Sequence, residues 1–294
     1  IMRILQVLPH LSKGGAERVV VELSNSLVDT GHEVTLLLAY PVNPALNQQY
    51  LDKRIKVQFI SPKSGNRILG YLRLPFFIFR RSKVLKNFDV IHCHLTLGLI
   101  FGFFFSFFRK ISRLNDLQLI ATCHVVGIGI SRTRRIMNER LSYFFDVFVL
   151  MAQDSQWRDF VARKNRTNFQ MVLNGISTKM WIHRSKQTNR KTFWTVGTIS
   201  RLQAERQPWL FLEVFSEVNK LMNGEVRFVL GGDGPEKESL AELSKKLKLN
   251  ESLSMPGLVQ DPKTILDCLD LYIGLNVEEI TGIAGLEAVI SGVP

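Results

Sequence analysis

Cysteine is scarce in this chain. Its three thiols, Cys93, Cys123 and Cys268, form no C-x-x-C pair and no metal-ligand spacing. That pattern excludes a disulfide framework and a cysteine-built zinc site, and it suits a reducing compartment. Also lacking is an apolar run long enough to cross a bilayer. The longest, Leu95 to Phe108, is interrupted by Thr96 and Ser106 and falls short of the roughly 20 residues a spanning helix needs. The opening IMRILQVLPHLSKGG has too short an apolar stretch before Pro9 for a secretion signal. The expectation is a cytoplasmic protein with no transmembrane segment.

Acidic residues are short in one half only. Residues 1–190 carry 28 Lys and Arg against 11 Asp and Glu, a balance of +17, whereas 191–294 carry 10 against 15, a balance of −5. A polyanionic partner therefore belongs to the first half. No zinc finger, helix-turn-helix pattern or RNP-type aromatic strand accompanies the charge, so nucleic acid is not expected. An anionic membrane surface fits better, because the basic clusters Arg80 to Lys86 and Arg109 to Arg113 adjoin phenylalanine-rich helices. The plainer explanation of the second cluster is capping, cations near a helix C-terminus being favoured by the dipole.

At 294 residues, 46% hydrophobic and 22% charged, the chain is globular and long enough for two cores. The division expected is a first domain over 1–182, a polar linker over 183–191 and a second domain over 192–294. Met2 to Leu8 predicts a strand, followed by Gly14-Gly15 and a helix with Ala16, Val19, Val20, Leu23 and Leu27 on one face, ended by Gly31. Val34 to Ala39 and Ile55 to Ile60 predict further strands. Arg67 to Phe88 predicts a helical region broken near Pro75. Asp89 to His92, Leu117 to Cys123 and Val147 to Met151 predict strands separated by helices. Strand, glycine turn, helix and strand open a doubly wound α/β domain, and the turn lies at the carboxyl edge of its sheet. The G-x-G-x-x-G fingerprint is absent, which speaks against a nicotinamide enzyme.

The same logic selects candidate site residues. His124 ends a strand, where open α/β sheets face their ligands. His92 and His94, at i and i+2, make a poor metal site. In the second half Arg201 and Arg206 stand at i and i+5; either alone reads as solvated surface, but two such cations on a loop after a strand can clamp a diphosphate. Near the end, the apolar run Leu271 to Leu275 predicts a strand, and Gly282 starts a short helix ending at Ser291-Gly292. The free N–H groups at Gly282 and Ile283 suit a phosphate. Glu287 falls on the helix face with Ile283 and Ile290, the face expected to be buried.

Glu279-Ile280-Thr281-Gly282 followed by Leu286-Glu287-Ala288, with seven residues between the two carboxylates, resembles the paired-glutamate motif of the retaining GT-B glycosyltransferases, specifically family four. GGAERVVVELSNSL, ATCHVVG, MVLNGI, TVGTISRLQAERQPW, GGDGP and MPGLV resemble further family segments in the right order. The resemblance implies two Rossmann-like domains facing a cleft and a nucleotide diphosphate sugar as donor. It also implies a glycan or lipid-linked acceptor, as in surface-polysaccharide assembly on the inner face of a membrane. It places Glu287 on the ribose, Glu279 and His124 at the donor sugar, Arg201 and Arg206 on the leaving diphosphate, Gly14 and Gly15 near that diphosphate, and Leu258 and Val259 at the nucleobase. Departures from the family are Ile280 and Thr281 for Gly and Phe, Arg206 for Lys, and Gln207 for Gly. With no D-x-D motif, neither a divalent metal nor any other cofactor is expected. The resemblance further implies that the family continues past Pro294 with more of the second sheet. The rival reading is a non-catalytic or hydrolytic sugar-nucleotide-binding protein.

Overall fold

The computed structural model describes residues 1–12, 14–42, 46–61, 67–124, 131–151, 155–163, 167–178, 193–275 and 282–294. The chain divides into two compact units, Ile1–Gly175 and Ile176–Pro294. The linker expected over 183–191 lies outside the described residues.

Among the described residues the first unit has seven parallel strands: β1 (Arg3–Leu8), β2 (Glu33–Leu38), β3 (Lys56–Phe59), β4 (Val90–His94), β5 (Gln118–Cys123), β6 (Val147–Leu150) and β7 (Phe169–Met171). Their spatial order is β3-β2-β1-β4-β5-β6-β7. Parallel neighbours need crossovers, and helices α1 (Gly15–Asp29), α2 (Arg67–Arg80), α3 (Ser82–Leu85), α4 (Leu95–Ile111), α5 (Arg132–Leu141) and α6 (Ser155–Arg163) lie within them. Val20, Val21 and Val28 of α1 pack on Ile4, Leu8, Val34, Leu36 and Leu38. Gly31 ends α1 with φ 92°, its N–H bonding Val28 O and the next N–H bonding Leu27 O. This is the paired arrangement that a left-handed glycine permits.

α4 lies close against the sheet because it carries two glycines where a side chain would not fit. A β-carbon on Gly98 would lie 2.8 Å from Val7 O, and one on Gly102 would lie 2.3 Å from the Phe145 ring. The phenylalanines follow suit, with Phe101 and Phe105 fully buried and Phe103 edge-on to Phe144 at 4.7 Å.

One expectation fails here. The helix does not break at Pro75; α2 runs through it to Arg80. Pro75 is on the solvent side while Leu74 and Ile78 are buried, so the packing on both sides of the proline outweighs the one backbone bond it cannot make. Arg109 belongs to the second basic cluster. It forms a bidentate pair with Asp146, one arm at 2.9 Å, and also donates to Leu117 O.

Among its described residues the second unit has four parallel strands, β8 (Trp194–Ile199), β9 (Val226–Gly231), β10 (Leu253–Gly257) and β11 (Leu271–Tyr272), in the order β10-β9-β8-β11. Its helices are α7 (Trp209–Leu221), α8 (Lys237–Lys246), α9 (Pro262–Leu266) and α10 (Ile283–Ile290). Phe211, Leu212 and Phe215 of α7 cover one face with Val196, Phe228 and Leu230. A second cluster joins Leu266, Leu269, Ala288 and Val293. The strand expected over Leu271 to Leu275 is only two residues long. Beyond it a single bond, Ile273 N to Gly197 O, continues the ladder, while Tyr272 N turns to Pro294 O.

In both units the strand order reverses beside the first strand, between β1 and β4 and between β8 and β11. Such switch points open a crevice at the carboxyl ends of the strands, where α/β sheets bind ligands.

Candidate active-site residues at two switch points

At the first switch point the chain leaves β1 and enters α1 through the glycine loop. Gly14 caps the helix in an extended conformation. The buried Asn47 side chain donates to Ser12 O and, at 3.0 Å, to Gly14 O, which pins the loop. Glu17 folds back over Gly14, so that a β-carbon there would lie 1.9 Å from its Oε2. The carboxylate accepts from Ser12 Oγ at 3.1 Å, and His10 Nδ1 lies 3.5 Å away. A negative group at this helix end is favoured by the dipole. Gly15 has nothing within 4 Å of the same test position and is the open member of the pair.

Three histidines meet where β4 and β5 end. His124 follows β5 directly, as its sequence position suggests. Its Nε2 is 3.0 Å from His94 Nδ1, and His94 Nε2 is 2.6 Å from Oε1 of Gln6 on β1. His92 Nε2 bonds Thr122 Oγ1 at 2.7 Å, and its ring lies 4.0 Å from that of His94. Desolvation pushes the pKa of His92 down to about 3 and that of His124 to about 4; His94 is lowered as well, by burial and by both neighbouring imidazoles. All three rings are therefore neutral near pH 7. Leu95, immediately after His94, has φ 59°, a left-handed conformation that costs a side-chain-bearing residue roughly 1–2 kcal/mol. Backbone strain of this kind gathers at ligand sites.

At the second switch point Arg201 follows β8. The residues on either side of it are locked to the glycine turn after β9. Ser200 N bonds Gly231 O at 2.9 Å, Leu202 N bonds Asp233 O at 3.1 Å, and Glu236 N returns to Leu202 O at 3.0 Å. Arg206 is exposed at the end of a short 3-10 turn, Ala204–Arg206, and Gln207 then takes φ 47°, ψ 51°. That left-handed conformation explains why glycine suits this position. Leu258 and Val259 follow β10, with Leu258 exposed and Val259 against Gly231.

Across from β8, Gly282 caps α10 in an extended conformation with no side-chain bond, and Ile283 begins the helix. Glu287 is buried, as its helix face predicts, with 4% of its surface exposed. Ile283 and Ile290 on that face are only half buried. Tyr272 on β11 lies close enough to Glu287 that its pKa is raised, first by burial and further by the carboxylate. Glu279 lies outside the described residues, as do Ile280 and Thr281.

A family model described as Glycosyltransferase Family 4 matches residues 13–206, and a second, Glycosyl transferases group 1, matches 179–294. The chain belongs to glycosyltransferase family 4. This family-4 chain is 24% identical over 293 residues to a phosphatidylinositol N-acetylglucosaminyltransferase subunit of Arabidopsis thaliana, covering 95% of the chain and 63% of that relative. It is 23% identical over 289 residues to the gpi3 subunit of the enzyme of the same name from Schizosaccharomyces pombe, covering 95% and 61%. The chain thus spans under two thirds of the length of these two curated relatives. Among solved structures, Anabaena HepE in complex with UDP and glucose superposes with a TM-score of 0.75 at 19% identity, over all of this chain and 80% of that one. Two Rossmann-like units with parallel sheets make the fold GT-B, as the sequence resemblance implied.

Sequence reasoning did not find Gln6, His94's part in the histidine line, Asn47 or Tyr272. Gln6 had a signal, a polar side chain inside the interior parallel strand RILQVL, where apolar runs are the rule. His92 and His94 had another, since i and i+2 on a strand share a face. Among the described residues no group of three His, Cys, Asp or Glu is arranged to hold a metal ion.

Proposed function

We propose that this chain carries the catalytic fold of a retaining glycosyltransferase that moves a sugar from a nucleotide diphosphate sugar to an acceptor hydroxyl. The observation that carries the reading is the second switch point. There Arg201 lies between two backbone anchors just after β8, and Glu287 is buried on α10, which packs beside Tyr272 of the neighbouring strand. In this reading Glu287 accepts from the ribose hydroxyls, and Gly282 and Ile283 offer free N–H groups to phosphate. Arg201 and Arg206 meet charge that grows on the leaving diphosphate, Leu258 and Val259 border the base, and Gly14 and Gly15 approach the diphosphate. His124 and Glu279 contact the sugar. No divalent cation is required, because the sequence holds no D-x-D pair of carboxylates to bring one to the diphosphate.

The acceptor is proposed to be lipid-linked, with the protein peripheral on an anionic leaflet and the pathway that of a surface or lipid-anchored glycan. α2 exposes Leu72, Phe76 and Phe79, spaced to share a helix face, with Arg80, Arg81 and Lys83 beside them. Such a surface suits an anionic interface. The phosphatidylinositol in the names of two relatives supports the same choice. No helix among the described residues is long and apolar enough to cross a membrane.

Titration with UDP, GDP and ADP, followed by transfer assays with and without a chelator, tests the reading. Glu287→Gln is expected to weaken nucleotide binding about tenfold or more, because a hydrogen bond to a charged group contributes about 1.5–3 kcal/mol. Arg201→Ala is expected to lower kcat more than affinity. Unchanged affinity in Glu287→Gln removes that residue from the donor site.

A further inference from the structure

We propose that Gln6 and His94 are positioning residues that fix the tautomer of His124, leaving its Nδ1 bare so that it accepts a hydrogen bond from a substrate hydroxyl. The inference deepens the assignment of His124 to the donor sugar and rests on it. The relay crosses three adjacent strands. Gln6 faces His94 through its oxygen, which can only accept, so the proton on His94 is at Nε2. His94 is buried and lies between two other imidazoles, a setting that keeps it neutral. Its Nδ1 is then a lone pair, and the 3.0 Å bond to His124 Nε2 needs a proton on His124. A neutral His124 with a proton on Nε2 presents an acceptor at Nδ1.

The His94 ring is held at both nitrogens, and His92, bonded to Thr122, lies against it. Gln6 itself is fully buried, and its Nε2 has no hydrogen-bond partner among the described residues. Replacing that nitrogen by oxygen therefore removes no bond.

Gln6→Glu is the decisive substitution. Position 6 is fully buried, so the introduced carboxyl is expected to be protonated and to donate to His94 Nε2. His94 then carries its proton on Nδ1 and donates, and His124 must accept at Nε2 and carry its proton on Nδ1. Histidine-labelled protein read by long-range nitrogen–proton NMR is expected to show His124 protonated at Nε2 in the unaltered chain and at Nδ1 in Gln6→Glu. His94→Asn places an oxygen where Nδ1 stood and is expected to keep the original tautomer. In transfer assays Gln6→Glu should lower kcat/KM about tenfold while nucleotide affinity stays constant.

Finding His124 protonated at Nδ1 in the unaltered chain overturns the relay. An inverted tautomer with unchanged kcat/KM overturns its role in sugar recognition, provided that Glu287→Gln still weakens nucleotide binding. If Glu287→Gln has no effect either, it is the donor-site assignment that fails.

Discussion

A β-carbon on Gly232 would lie 1.8 Å from the carbonyl oxygen of Ser200, and one on Gly234 would lie 2.2 Å from that of Leu202. The backbone on either side of Arg201 is thus packed against two glycines with no room for any side chain. Gly232→Ala is expected to destabilise the second unit by at least about 2–3 kcal/mol. The clash is with backbone that cannot yield, and φ is 144° besides. Gly175→Ala, with nothing within 4 Å, is the control and should be close to neutral. Urea unfolding of the two variants checks both; equal midpoints would mean the turn can move.

Gln207 occupies the left-handed region without being glycine. Gln207→Gly should stabilise the chain by about 0.5–1 kcal/mol, the relief of strain less the extra chain entropy of glycine. The urea midpoint should rise with an unchanged slope. A lower midpoint would show that the Gln207 side chain contributes more than its backbone costs.

The three depressed histidines set a pH dependence. Their folded pKa values lie below the unfolded value of about 6.5, so the unfolded chain binds more protons once the pH falls below that value. Stability is therefore complete above pH 6.5 and declines toward pH 4, with a slope of up to about 1.4 kcal/mol per pH unit for each imidazole. Urea unfolding between pH 7.5 and 5 measures it. His92→Asn should flatten the slope by one histidine's share. A profile flat over that range would mean that the rings are hydrated and titrate normally.

Binding to anionic vesicles should be lost when Phe76 and Phe79 are both replaced by Ser, and should weaken in high salt. Each cation near such a surface contributes about 1 kcal/mol. Flotation with phosphatidylserine vesicles against neutral ones reads the difference. Equal binding to both, or retention in high salt, defeats the electrostatic docking. Arg109 should not matter for this binding, because its guanidinium is committed to Asp146; Arg109→Gln should instead lower stability.

Legibility followed the range of the interactions. α1 and its stop at Gly31 could be read from the chain because periodicity and a left-handed glycine are local signals. The burial of Glu287 followed from helix geometry alone, and the strand-end position of His124 from the apolar run before it. Pro75 misled because Leu74 and Ile78, buried by tertiary packing, decide the helix there. β7 was invisible as a three-residue edge strand with no alternation of its own. The bond between Gln6 and His94 joins residues 88 apart in sequence, and no local pattern links a polar side chain in one strand to an imidazole that distant. The close seat of α4 was hidden for a similar reason, since Gly98 and Gly102 in a phenylalanine-rich helix look like weak points until the strand beneath them is in place.

The all-parallel order of the first sheet also bears on how the chain acquires its structure. β1 is made before the rest of its sheet, and β2 soon gives it one neighbour. Its other neighbour is β4, where Ile4 pairs with Val90, and that strand appears only after β3 and helices α2 and α3. Until then a strand that is interior in the finished sheet has an open, apolar edge of the kind that recruits other chains. No hairpin can form early to shield it, and closure waits on long loops, which makes folding slow. Recovery of soluble protein should therefore depend on synthesis rate and temperature more than on the stability of the folded state.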